Sequence, residues 1–116
     1  MACAYMGQAV RVVMDRPYGS RHPVHGFEYL ANYGYLPGTL APDGEELDAY
    51  YLGPTEAMQD AEGICIAVIH RHRDDDDKLV VVPADRTDMT DAQIMEQVSF
   101  QEIPGGYEVR RPHTRR

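Results

Sequence analysis

The chain has 116 residues, 43% of them apolar, and carries a net charge of −8 from 19 acidic and 11 basic side chains. That length supports one compact domain, residues 1–116, with a modest core, and the acidic balance argues against a general nucleic-acid binder, whose phosphate contacts need a basic face. No stretch is long and apolar enough to span a bilayer, and the N-terminal MACAYMGQAV has neither a basic segment nor a long apolar run, so the sequence predicts a cytoplasmic protein with no membrane contact.

The first predicted element is a strand over 8–14 (QAVRVVM), where valine dominates. DRPYGSRHPVHG follows as turn and loop, punctuated by Pro17, Gly19, Pro23 and Gly26. FEYL is compatible with a short strand, and NYGYLPGTLAPDG reads as loop because Pro37, Gly38, Pro42 and Gly44 interrupt any regular element. ELDAYYLG is a predicted strand with Glu46, Asp48 and Tyr50 on one side and Leu47, Ala49 and Tyr51 on the other. ICIAVIHR (64–71) and KLVVVP (78–83) are β-branched, apolar strands joined by the acidic turn Asp74–Asp77, which predicts a hairpin over 64–83. Thr90-Asp91-Ala92-Gln93 has capping-box spacing, with Ile94, Met95 and Val98 following at helical intervals, so a helix is expected from about 90 to 99. YEVRR closes the list as a last short strand. Five short strands and one helix predict a mainly β fold, a small five-stranded barrel with one packed α-helix.

The densest chemistry lies between Tyr29 and Tyr51. Asp43, Glu45, Glu46 and Asp48 fall within six residues, after three tyrosines and two glycines. Carboxylates this close repel one another unless water or a cation offsets the charge, and hard divalent cations prefer oxygen ligands of this type. The spacing is not that of an EF-hand loop. The pattern therefore predicts a metal site that handles a polyanion, against the plainer alternative of a solvated acidic turn. Cys3 and Cys65 lack any CxxC spacing and imply neither zinc nor a disulfide framework. His70 and His72 share a strand face, but two imidazoles without a third ligand are a weak zinc signal. His22 and His25 stand beside Arg21 as candidates to line a phosphate pocket.

Two blocks carry a resemblance. The first runs from Tyr29-Leu30-Ala31-Asn32-Tyr33-Gly34-Tyr35 through Thr39-Leu40 to Asp43-Gly44-Glu45-Glu46-Leu47-Asp48; the second is Asp76-Asp77-Lys78-Leu79-Val80-Val81-Val82-Pro83. In content, internal spacing and order they resemble the signature of soluble family I inorganic pyrophosphatases. The resemblance implies an OB-like barrel, Mg²⁺ as cofactor, and hydrolysis of pyrophosphate to two phosphates. It also suggests self-association. It places Asp43, Glu45 and Asp48 at a metal-ligand triad, with Glu45 where the family's water-activating aspartate stands, and Asp76 at a further ligand position. Lys78, Tyr33, Tyr29 and Arg21 fall at phosphate-site positions, and Arg11 at that of a substrate-contacting lysine on the first strand.

The chain departs from the pattern at several points. Glu45 is one methylene longer than aspartate, about 1.5 Å of reach, and misplacement on that scale is costly in catalysis. Glu46 replaces a proline, which loosens the turn. Val13 stands where a glutamate is expected, and Tyr107 is the candidate for one member of a late Tyr-Lys pair. Two alternatives stay open from sequence: a hydrolase of another phosphoanhydride such as a nucleoside polyphosphate, and a catalytically inactive barrel that binds metal or phosphate.

Overall fold

The computed structural model describes residues 2–41, 44–73 and 76–112. Among them are six strands, β1 (Ala9–Arg16), β2 (Asn32–Tyr35), β3 (Asp48–Tyr51), β4 (Asp60–Arg71), β5 (Asp77–Val82) and β6 (Tyr107–Arg110), and one α-helix, α1 (Asp91–Val98). Strand order is β1-β2-β3-β5-β4, and β4 returns to pair with β1, so five strands close into a ring. β6 adds to the outer edge of β4. The β3–β5 pairing is parallel, and the other pairings described are antiparallel.

The alternation expected for β3 has a structural consequence, because both of its faces are buried. Leu47, Ala49 and Tyr51 join Val12, Met14, Cys65, Val68, Leu79 and Val81 in one apolar cluster contributed by four strands of the ring. Tyr50 and Leu52 join Ile66, Ala67, Ile69, Val80 and Val82 in a second, which α1 covers with Ile94 and Val98. A β-bulge between Cys65 and Ala67 breaks the period of two in β4. Ile66 and Ala67 therefore both face the helix side, and the strand bends around the ring. At the N-terminus of α1, Thr90 accepts from the Gln93 backbone N–H while the Gln93 side chain accepts from the Thr90 N–H, the capping box expected from sequence.

Two local expectations are corrected. NYGY is strand β2, not loop: it pairs with β1 on one side and β3 on the other, and the glycine is what permits it. A Cβ at Gly34 would lie 1.8 Å from the Val13 carbonyl oxygen, so only glycine lets the two backbones approach. FEYL, by contrast, forms no strand, and Glu28 makes a single bridge to Arg21. Neighbouring segments keep their polar groups paired through Asn32, which is fully buried. Its side-chain oxygen accepts from the Tyr18 and Met58 N–H groups, and its amide donates to the Glu56 carbonyl.

Candidate active site at the barrel rim

One end of the ring carries an open cleft of about 310 Å³ lined by Asp15, Arg16, His22, Tyr29, Tyr33, Asp48, Arg71, Asp76, Lys78 and Gln101. Its floor is set by strand register. Asp48 on β3 is the direct parallel partner of Lys78 on β5, and Tyr33 on β2 is the partner of Tyr50 beside it. The Lys78 side chain is 3% exposed and its Nζ donates to Asp48 Oδ2 at 3.1 Å, Asp76 Oδ2 at 3.0 Å and Tyr33 OH at 2.7 Å. A buried ammonium is costly unless it is paired and hydrogen-bonded, and here two half-exposed carboxylates and a phenol meet that cost.

Tyr33 accepts from Lys78 through its oxygen, which leaves its own O–H to donate into the cleft. Burial, reinforced by the Asp48 and Asp76 carboxylates, holds this phenol far above its ordinary range, so it is a donor at any working pH. Burial also raises Tyr29. The tyrosines are locked by neighbouring rings: Tyr29 lies 5.6 Å from Tyr33 and 5.3 Å edge-on from Phe100, and Tyr33 lies 4.9 Å edge-on from Tyr50. At the far wall, partial desolvation and then the neighbouring His25 and Arg16 hold His22 below the ordinary imidazole range.

A β-bulge between Met14 and Arg16 delivers Asp15 and Arg16 to the same rim. Behind the cleft, Glu102 is buried between β4 and the end of α1. Arg71 Nε and Nη2 donate to its two oxygens, each at 2.8 Å, and Tyr50 OH donates at 2.6 Å. Burial alone would raise the Glu102 carboxyl, but the hydrogen bonds from Arg71 and Tyr50 outweigh it and hold the group below its usual range. Gln101 Nε2 donates to Tyr50 OH at 2.6 Å, which fixes the last lining side chain.

The residues expected from sequence divide. Tyr33, Asp48, Asp76 and Lys78 meet at the floor, and Tyr29 lines the wall beside them. Arg21 is not among the lining residues; its Nη1 donates to the Gly26 carbonyl. Arg11 pairs with Asp60 at 2.8 Å toward the other end of β1. Glu45 also does not line the cleft, and its carbonyl accepts from Ala41 N–H. Asp43, Asp74 and Asp75 lie outside the described residues. Tyr107 lines a separate hollow with Met95 and Pro104. Sequence reasoning missed Asp15, Arg16, Arg71 and Gln101. Asp15 had a visible signal as the acidic residue on the first strand, two places beyond Val13; the others depend on a bulge and on tertiary packing.

A small closed β-ring with lysine-pinned carboxylates, buried phenols and arginines around a rim cleft defines an OB-like barrel with a charged rim. The comparisons place it further. The family model for inorganic pyrophosphatase matches residues 10–108, and the chain belongs to that family. It is 31% identical over 88 residues to the inorganic pyrophosphatase of Caulobacter vibrioides, covering 69% of this chain and 50% of that one. To that of Sulfolobus acidocaldarius it is 38% identical over 65 residues, covering 52% and 37%. The chain thus spans half or less of the length of these curated relatives. The fold matches the crystal structure of inorganic pyrophosphatase from Ehrlichia chaffeensis with a TM-score of 0.72 at 17% identity, covering 92% of this chain and 88% of that one.

Proposed function

We propose that the chain hydrolyses inorganic pyrophosphate to two phosphates, using Mg²⁺, in the rim cleft. The observation that carries this reading is the convergence of Tyr33, Asp48 and Asp76 on the buried Lys78. Family membership and the names of the curated relatives support it. Pyrophosphate is a compact polyanion, and attack by water requires its charge to be offset. Lys78 supplies a point charge at the floor, and Tyr33 supplies a fixed O–H donor to a phosphate oxygen. Arg16 and Tyr29 close the same wall.

The donor set fits a hard cation of a particular kind. Asp48 and Asp76 offer carboxylate oxygens within bonding distance of one ammonium, while no three His, Cys, Asp or Glu side chains among the described residues form a metal cage. Mg²⁺ is characteristically bound by one or two carboxylates together with waters and substrate phosphate oxygens, and this pair suits that mode. When bound, the ion offsets phosphate charge and makes a coordinated water more acidic. Asp48 and Asp76 would hold it, and Lys78 keeps both carboxylates aimed at one point.

A second reading, a barrel that binds phosphate without turning it over, draws on a different observation: Glu45, Arg21 and Arg11, to which the family resemblance assigns catalysis and substrate contact, do not line the cleft. Phosphate release from pyrophosphate with and without Mg²⁺ separates the two. Mg²⁺-dependent release supports hydrolysis. Release only from a nucleoside triphosphate would shift the substrate, and no release from either would leave the binding reading. The family resemblance also carries a cytoplasmic location and a homo-oligomer as proposals, the second checked by sedimentation.

A further inference from the structure

Among the described residues three cations line the cleft, and they are not equivalent. Lys78 donates to Asp48, Asp76 and Tyr33. Arg16 Nη1 donates to the carbonyl of Asp15. Arg71 differs from both in being fixed: a two-bond fork from its Nε–Nη2 edge to the buried Glu102 holds the guanidinium, and among the described residues its Nη1 makes no hydrogen bond. Arg71 lines the cleft and also the adjoining hollow formed with Arg73, Gln101, Glu102, Ile103 and Gly106, so its guanidinium stands at the junction of the two.

We propose that Arg71 is a phosphate-binding residue of the cleft and that Glu102 is the residue that positions it. Glu102 is 3% exposed and tied to α1's end and to Tyr50, so the fork to it holds the guanidinium plane in one orientation. A planar guanidinium held by one edge presents its remaining N–H groups in a fixed direction, which suits a phosphate oxygen and loses little rotamer freedom on binding. Its charge is already balanced by Glu102, so what Arg71 contributes is oriented donors rather than long-range field. Arg73 lines the hollow but not the cleft, and contributes field alone. The ligand class is a phosphate group, free or within a phosphoanhydride. The assignment rests on reading the cleft as a pyrophosphate site, and its test is framed on binding so that the two can fail separately.

The test is isothermal titration of the full chain with inorganic pyrophosphate and, in a second series, with orthophosphate. Arg71→Met is expected to weaken binding roughly tenfold or more, and Arg73→Met roughly twofold or less, because an oriented charged hydrogen bond is worth more than a screened distant charge. Equal losses in the two variants would show a field effect and overturn the proposal, as would unchanged affinity in Arg71→Met. Arg71→Met leaves a buried carboxylate unpaired. Should it not fold, Arg71→Lys decides, since it keeps the charge and loses the fork, and unaltered affinity there overturns the proposal. For Glu102, Glu102→Gln is expected to weaken binding by itself but to add nothing in the double variant Arg71→Met/Glu102→Gln. Additive losses would mean that Glu102 is merely structural. If wild type binds orthophosphate but not pyrophosphate, the hydrolase reading fails while the orthophosphate series still decides Arg71. If it binds neither, the proposal falls.

Discussion

Asp48 and Lys78 are register partners across the parallel β3–β5 pairing, and their side chains meet at 3.1 Å over the floor of the cleft. The carboxylate and the ammonium reach the rim from adjacent backbones, and a one-residue slip would swap the residues of one strand between the two apolar clusters and take Asp48 away from Lys78. Chemistry at this rim is therefore locked to the packing of the core. Asp48→Asn tests what that arrangement is for. Lys78 keeps Asp76 and Tyr33, and the core is untouched. Turnover of pyrophosphate is expected to fall roughly a hundredfold or more while the melting temperature stays within a few degrees, since misplacing or losing one charged group in a polyanion site has that scale of effect. Phosphate release and a thermal melt check it; unchanged turnover would remove Asp48 from the machinery.

Glu45 gives the opposite expectation. It occupies the position the family resemblance marks as water-activating, yet it is exposed and does not line the cleft. Glu45→Asp is expected to leave the rate within roughly threefold, less than 1 kcal/mol on the barrier. A tenfold rise would show that the longer side chain impairs the site, and a tenfold drop that the site is built around glutamate.

How much was legible beforehand follows from where each residue gets its position. The ring, the 64–83 hairpin and the capped helix were readable because β-branched runs, turn residues and a Thr-x-x-Gln cap act locally. Strand β2 was misread because Gly34 looks like a loop residue until the Val13 backbone is known to press against it. Tyr33, Asp48, Asp76 and Lys78 were found because they sit in continuous motif blocks. Arg16, Arg71 and Gln101 were not, because a β-bulge, the fork from Arg71 to Glu102 and the bond from Gln101 to Tyr50 place them, and none of these leaves a mark in the spacing of the chain. Arg21 shows the converse: it has the spacing in sequence, but it does not line the cleft, and its Nη1 donates to the Gly26 carbonyl.

Glu102 makes part of the stability depend on acid. Its folded carboxyl lies below the unfolded value of 4.5, so its contribution is present above that pH and is lost as the pH falls through the lower folded value. Glu102→Gln is expected to be less stable than wild type at neutral pH, but to lose less on going from pH 5 to 3. Urea midpoints across that interval measure the difference, and parallel curves for the two proteins would show that Glu102 does not carry the linkage.

Cys65 works at the alkaline end. It is fully buried, and burial raises its thiol from 9.0 to about 11. The native state therefore holds a proton that the unfolded state releases. The contribution is whole below 9 and is lost as the pH rises toward 11, by up to ~3 kcal/mol. Cys3 is exposed. A thiol reagent at pH 8 is expected to label one cysteine rapidly in the folded chain and two in urea. Rapid double labelling without denaturant would mean that the barrel opens locally at β4.

Asn32 holds the backbone around the site together. Asn32→Leu conserves size but removes the partner of the part-buried Tyr18 and Met58 N–H groups and of the Glu56 carbonyl. Unsatisfied buried polar groups cost about 1–3 kcal/mol each, and these part-buried ones can turn partly to water, so a loss of about 2 kcal/mol is expected. Because Asn32 directly precedes Tyr33 and anchors the segment that follows Arg16, pyrophosphate affinity should weaken even at temperatures where the variant is fully folded. Denaturant unfolding and isothermal titration on the same preparation read both effects. A variant that loses stability but binds as wild type would confine Asn32 to the scaffold and leave the geometry of the cleft to the tyrosine stack and the Lys78 cluster alone.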